Sequence, residues 1–371
     1  MVPFIDLKPY VELVYGPRVR DVPTALNASF LGDVIERVSA LEFVGGGPTT
    51  QLFEKNLATK LDAKYAVACA NGTDAIQLAL RAAGIEHGHR VAIPNLTFWA
   101  TLEAVVNVGA TPVLIDVAKD DLQMSLSEFV RAHQARRFDA AVLVHLFGWC
   151  STQLAEFRGF CRDRRITLIE DGAQAFGVQS DGESVFADAD VITTSFHPAK
   201  VIGSIGDGGA VLTNNERTAK RVRVLANHGR IGHDEYAAIG WNSRMDAIQA
   251  AWLLRALEVS DRVIEDRRAT CLEHYGSRTR PTLRGNGYMD VRGTNDPGAV
   301  AHKLHTLGIE TRRIYQRTLA DQPAAHGVAI PVGSLMVSRQ FAERVINLPL
   351  YYGMGEAAGR CKAAWDEAVR G

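Results

Sequence analysis

Between Tyr65 and Thr213 short apolar, often β-branched runs alternate with stretches of helical periodicity, and this alternation restricts the fold more than any other feature. The runs are Tyr65–Cys69, Val91–Ile93, Pro112–Ile115, Ala140–Val144, Ile166–Ile169, Val191–Phe196 and Gly209–Thr213. Amphipathic segments lie between them, including Asp74–Ala83, Thr101–Val108, Leu154–Arg164 and Arg217–Asn227. Strands apolar on both faces, separated by helices, predict a mostly parallel seven-stranded sheet covered by helices. Ligands of such sheets bind beyond the carboxyl ends of the strands, so the residues that follow each run are the ones to inspect. After about residue 243 the pattern changes. Ser243–Leu257 reads as one long amphipathic helix opened by an Asn/Ser cap, and Gly293–Asp296 reads as a turn. We therefore expect a large α/β domain with an N-terminal arm over residues 1–245 and a smaller C-terminal α/β domain over 246–371.

Charge removes several function classes. Forty-one basic residues nearly balance 42 acidic ones, without a long block of either sign. No nucleic-acid footprint is expected, since that needs clustered Lys and Arg. The five cysteines are scattered and form no CxxC pair, which disfavours a metal site and a disulfide framework and fits a reducing cytoplasm. The N-terminus lacks the basic and apolar regions of a signal peptide. No run of about 18 apolar residues is long enough for a membrane span.

Four sites follow predicted strands. At Asn71-Gly72-Thr73-Asp74 a helix start offers backbone amides, a hydroxyl and the positive dipole end to an anion; a helix cap that binds nothing is the other reading. At Pro94–Trp99 adjacent aromatics can stack on a planar heterocycle or simply pack. The apolar strand before Glu170-Asp171 delivers an acidic pair, one member of which can hold a protonated ring nitrogen; an N-cap by Asp171 is the alternative. Last comes Ser195-Phe196-His197-Pro198-Ala199-Lys200, beside the glycine-rich turn Gly203–Gly209. A lysine held inward there becomes a nucleophile able to form a Schiff base, whereas a lone lysine is ordinarily surface charge. The glycines fit neither GxGxxG nor GxxxxGK[ST]. In order, the four sites supply a phosphate cradle, a ring stacker, a ring-nitrogen carboxylate and a Schiff-base lysine, the set that a pyridoxal-phosphate site needs.

The blocks CANGTDAIQLAL, PNLTFWATLEAV, IEDGAQAFG, SFHPAK, GDGGAVLTNN and GWNSRMDAIQAA, from about residue 45 onward, resemble the DegT/DnrJ/EryC1/StrS family of sugar aminotransferases in the family's order. The resemblance implies a pyridoxal-phosphate-dependent transferase of fold type I, like aspartate aminotransferase. It implies Lys200 as the Schiff-base lysine and proton shuttle, Asp171 on the pyridine nitrogen and Gln174 on the phenolic oxygen. Gly72, Thr73 and Ser195 would bind the phosphate, and Phe98 would stack on the ring with Trp99 as the fallback. Asn242 would reach the phosphate in the neighbouring subunit, giving a homodimer with shared active sites. Arg244, His197 and Tyr315 would meet the donor carboxylate or the sugar nucleotide. Two departures fall where substrate contacts are expected: Ile314 stands where many members carry a histidine, and the segment from Gly276 to Thr294 is short.

The reading is a cytoplasmic transaminase in which L-glutamate converts pyridoxal 5'-phosphate to pyridoxamine 5'-phosphate. The amino group then passes to a 3- or 4-keto-6-deoxyhexose of a nucleoside diphosphate, with a lean towards C3. The amino sugar would enter a cell-surface polysaccharide such as lipopolysaccharide O-antigen, or a glycosylated metabolite. The rivals are a dehydratase of the same family, in which histidine replaces the lysine, and a non-enzymatic regulator that uses the fold as a sensor.

Overall fold

All seven apolar runs pair into one sheet in the computed structural model, which describes residues 1–15, 32, 34, 36, 37, 40, 45–275 and 283–370. The strands are β1 (Tyr65–Cys69), β2 (Arg90–Pro94), β3 (Thr111–Ile115), β4 (Ala140–Val144) and β5 (Thr167–Asp171). After a small hairpin, β6 (Gln179–Ser180) and β7 (Glu183–Ser184), come β8 (Val191–Ser195) and β9 (Gly209–Thr213). Three more two-residue strands follow before β13 (Val345–Ile346): β10 (Leu283–Arg284), β11 (Arg292–Gly293) and β12 (Ile330–Pro331). The main sheet runs β1-β9-β8-β5-β4-β2-β3-β12. Only β9 is antiparallel to its neighbours. The eighth strand, β12, is too short to carry a periodic signal, which is why seven were expected.

Alternation along the strands explains the layering. Ala66 and Ala68 of β1 and Ala92 of β2 join one hydrophobic cluster, with Phe53, Leu57 and Trp252 from helices Pro48–Lys60 and Ala247–Thr270. Val67, Val91 and Ile93 point the other way and join Ile76, Leu80, Leu102 and Val105 of helices Gly72–Ala82 and Trp99–Asn107. A third cluster unites Val2 with Leu304, Ile346, Leu348 and Trp365 from the C-terminal part.

The long helix differs from expectation. It begins at Ala247, with Asp246 as its N-cap, and continues to Thr270. Ser243 is not its cap, because its Oγ accepts from the Ala70 amide (3.3 Å) and its own amide donates to Ala226. The apolar stripe of Ala250, Leu253, Ala256 and Leu257 continues beyond Leu257 in Val263 and Ile264. The expected turn at Gly293–Asp296 begins on the last residue of β11, and Asp296 caps helix Pro297–Thr306 by accepting from Ala299 (2.8 Å). No helix among the described residues is long and apolar enough to cross a membrane.

Candidate active site

A cavity of about 700 Å³ opens at the carboxyl ends of the central strands. Gly72, Thr73, Phe98, Asp171, Gln174, Ser195, His197, Lys200 and Tyr315 all line it. These residues come from five separate stretches of chain, and the sheet topology is what assembles them.

Helix Gly72–Ala82 supplies the anion-binding corner. Asn71 caps it, its side chain accepting from the Asp74 amide (2.8 Å), so the amides of Gly72 and Thr73 stand at a positive helix end. A Cβ on Gly72 would lie 2.7 Å from Ser195 Cβ, so the helix start and the end of β8 meet only through this glycine. Gly209 serves the same close approach, since a Cβ there would fall 2.3 Å from the Asn71 carbonyl oxygen. Gly209, in the glycine-rich stretch after Lys200, thus lets two backbones pack.

The acidic pair splits by strand alternation. Glu170 is withdrawn from the cavity and bonded to His145 Nε2 (2.8 Å) and Arg158 Nε (2.8 Å). Burial alone would push its carboxyl up, but those two partners hold it below the ordinary carboxylate value. Asp171 faces the cavity and accepts from the Ala173 amide (3.0 Å). Burial raises its carboxyl, against the opposing pull of that amide, the Lys200 charge and Thr101. Asp171 therefore lacks a full cationic partner, which is the environment a protonated ring nitrogen would complete.

Lys200 follows a turn in which its amide donates to the His197 carbonyl (2.8 Å), and its Nζ lies 5.4 Å from the Tyr288 ring centre. Gln174 is fixed at both ends: Oε1 accepts from the Phe147 amide (2.6 Å), and Nε2 donates to Tyr315 Oη (2.9 Å). Tyr315 holds a left-handed backbone (φ 68°), which costs a non-glycine residue about 1–2 kcal/mol and marks a constrained position. Burial pushes its hydroxyl pKa well up. Phe98 is 62% exposed and lines the cavity. Trp99 packs against the second hydrophobic cluster and does not line the cavity, so the fallback stacker is removed.

Asn242 and Arg244 are not brought to this cavity within the chain. Arg244 donates to Asn227 Oδ1 (3.0 Å) and Asn242 Oδ1 (2.7 Å), and it lines a separate cavity with Lys55, Arg223 and Arg230. Ile314 lines the main cavity and anchors its amide on Asn347 Oδ1 (2.8 Å). Of the short segment from Gly276 to Thr294, residues 276–282 lie outside those described. Its remainder supplies two residues that sequence reasoning missed. Tyr288 lines the cavity, and buried Asn286 clamps the segment by donating to the carbonyls of Gln174 (2.8 Å) and Phe176 (2.9 Å). Thr101 was read only as part of a helix.

The set fits a planar, phosphorylated group with a basic ring: an amide-rich corner cleared by Gly72, a buried carboxylate short of a cation, and an inward amine. Residues 26–360 match the model of the DegT/DnrJ/EryC1/StrS aminotransferase family, starting earlier than residue 45. The chain is 32% identical over 315 residues to the Pseudomonas aeruginosa UDP-2-acetamido-2-deoxy-3-oxo-D-glucuronate aminotransferase, covering 82% of this chain and 86% of that one. It superposes with a TM-score of 0.91 and 30% identity on S. venezuelae DesV in complex with a ketimine intermediate, covering 100% of this chain and 99% of that one. It also superposes on ntda from Bacillus subtilis with bound cofactor PMP, with a TM-score of 0.81, 25% identity and coverage of 96% and 85%.

Proposed function

We propose a specific amino transfer for this chain, which belongs to the DegT/DnrJ/EryC1/StrS aminotransferase family: from L-glutamate to the keto group of a nucleoside-diphosphate hexose. The chain is a pyridoxal-phosphate-dependent aminotransferase of sugar nucleotides. The finer reading is a 3- or 4-keto-6-deoxyhexose acceptor, a homodimer and a cytoplasmic enzyme whose amino sugar is used for O-antigen-type polysaccharide or a glycosylated metabolite. It includes a large domain over 1–245 and a small one over 246–371, with helix Ala247–Thr270 joining them.

The meeting of Lys200, Asp171 and the Gly72–Thr73 helix end in one cavity is the observation that supports it. When bound, the cofactor supplies an electron sink that lets an amino group leave one carbon and join another. The chain's own residues hold and move charge around it. Lys200 would carry the cofactor and then accept and return the proton at the reacting carbon. Asp171 would keep the ring nitrogen protonated, and Gln174, oriented by Tyr315, would bond the phenolic oxygen. Gly72, Thr73 and Ser195 would bind the phosphate, and Phe98 would cover the ring. Arg244 with Asn242, His197 and Tyr315 would serve the substrates and the partner subunit's site. Lys200 also separates this reading from the dehydratase, which would carry histidine there. Incubating the purified enzyme with L-glutamate and a panel of keto-sugar nucleotides tests the reading. Amino sugar should form from at least one 3- or 4-keto-6-deoxy acceptor, and failure with every member would reject it.

A further inference from the structure

A second, smaller cavity of about 130 Å³ adjoins the first, sharing Lys200, Tyr288 and Ile314 with it. Its walls also include Ile5 and Asp6 of the N-terminal segment and Arg267 of the long helix. Arg267 is only 6% exposed. Its Nε donates to the Gly287 carbonyl (2.9 Å), and its Nη2 donates to those of Tyr288 (2.9 Å) and Leu350 (3.1 Å). Those three bonds tie the helix to two loops and occupy three of the five guanidinium N–H donors. They leave Nη1 without an acceptor, and Arg267 has no carboxylate partner among the described residues. The neighbouring Asp266 carboxylate is engaged elsewhere, by the Gly353 amide (2.7 Å). Asp6 accepts from the Lys8 amide (2.9 Å) and forms no ion pair with Arg267.

A largely buried cation bonded only to neutral carbonyls, with Nη1 left to the solvent of the cavity, is an arrangement that an anion would complete. Burial pushes the guanidinium pKa down to about 10, in line with that incompleteness. The charged groups on the cavity wall are Lys200, Arg267 and Asp6, two cations against one carboxylate. At about 30 Å³ per water-sized group, the space holds roughly four such groups. That suits a carboxylate and its neighbouring carbon and excludes a sugar nucleotide.

We propose that this smaller cavity binds a carboxylate of the amino donor, with Arg267 as its counter-ion beside Lys200. The assignment rests on the donor half of the reading above. An acidic sugar is the other source of a carboxylate, so the test carries both. Glutarate, which has no amine to react, and D-glucuronate are titrated by calorimetry into cofactor-loaded protein. Ile5 is 43% exposed, so a charge placed there at the cavity edge is tolerated by the fold. Ile5→Glu should weaken glutarate binding about tenfold and Ile5→Lys should tighten it, both effects shrinking in high salt. Arg267→Lys, which keeps the charge but loses the fork, should also weaken it. The proposal is overturned if the wild type does not bind glutarate, if both Ile5 variants bind it as the wild type does, or if only glucuronate responds to the charge. Charge-dependent glutarate binding without transfer to any keto-sugar nucleotide would sink the proposed acceptor and leave this site standing.

Discussion

Gln174 Nε2 donates to Tyr315 Oη at 2.9 Å, joining the loop after β5 to a residue 141 positions further along the chain. This bond fixes which face of the amide looks into the cavity, since Oε1 is already committed to the Phe147 amide. Tyr315→Phe leaves a buried donor unmatched, so unfolding free energy should fall by about 1–3 kcal/mol. Denaturant melts of the two proteins measure it, and unchanged stability would mean the bond contributes nothing.

Asp171→Asn keeps the shape of the side chain and removes its charge. Turnover should fall roughly 100-fold or more, by analogy with the loss of a preorganised electrostatic partner. The cofactor-free protein should respond in the opposite sense. Because the folded Asp171 carboxyl is raised, stability is fully present below the unfolded carboxylate pKa and is lost as pH rises through the folded one. Above that window the Asn variant should therefore melt higher than the wild type when the cofactor has been removed. Equal melting at pH 8, or near-wild-type turnover, would contradict the role.

Gly72→Ala tests the contact between the helix start and β8. The added methyl would sit 2.7 Å from Ser195 Cβ, and overpacking of this kind costs about 1–3 kcal/mol. Removing the Ser195 side chain in the same protein (Gly72→Ala with Ser195→Gly) should restore most of the lost thermal stability. No restoration would place the strain elsewhere.

The proposed site shared across a two-fold axis assigns Asn242 to the partner's cofactor, and Asn242 does not line the cavity of its own chain. If Asn242→Ala alone is clearly impaired, mixing it with Lys200→Ala chains under subunit exchange distinguishes the models. A mixed dimer would carry both lesions in one site and neither in the other. Activity should return to about a quarter of wild type, since half the dimers are mixed and each restores one of two sites. Recovery no greater than the Asn242→Ala share would mean that Asn242 acts within its own chain.

Seven of the eight strands of the large sheet are legible within one or two residues because each is largely buried and flanked by helices, whereas the two-residue β12 carries no such signal. The cavity residues on strand ends were legible for the same reason, since topology brings successive strand ends together. Ser243 was misread as a helix cap because its hydroxyl is claimed by Ala70, 173 positions earlier, and no local pattern reports such a bond. Tyr288 and Asn286 lie in a segment without periodicity, and their place depends on Gln174 and Phe176. Arg267 lies beyond the helix expected to end at Leu257, and its burial is set by the loops that cover it.

Reduction of the purified, cofactor-loaded enzyme with borohydride, followed by peptide mapping, tests the central claim most directly. The cofactor should be found covalently fixed to Lys200, and L-glutamate added before the reductant should prevent the labelling. Lys200→Ala should fold normally, carry no fixed cofactor and turn over no substrate. Cofactor fixed to any other lysine, or still fixed in the Lys200→Ala protein, would contradict the account.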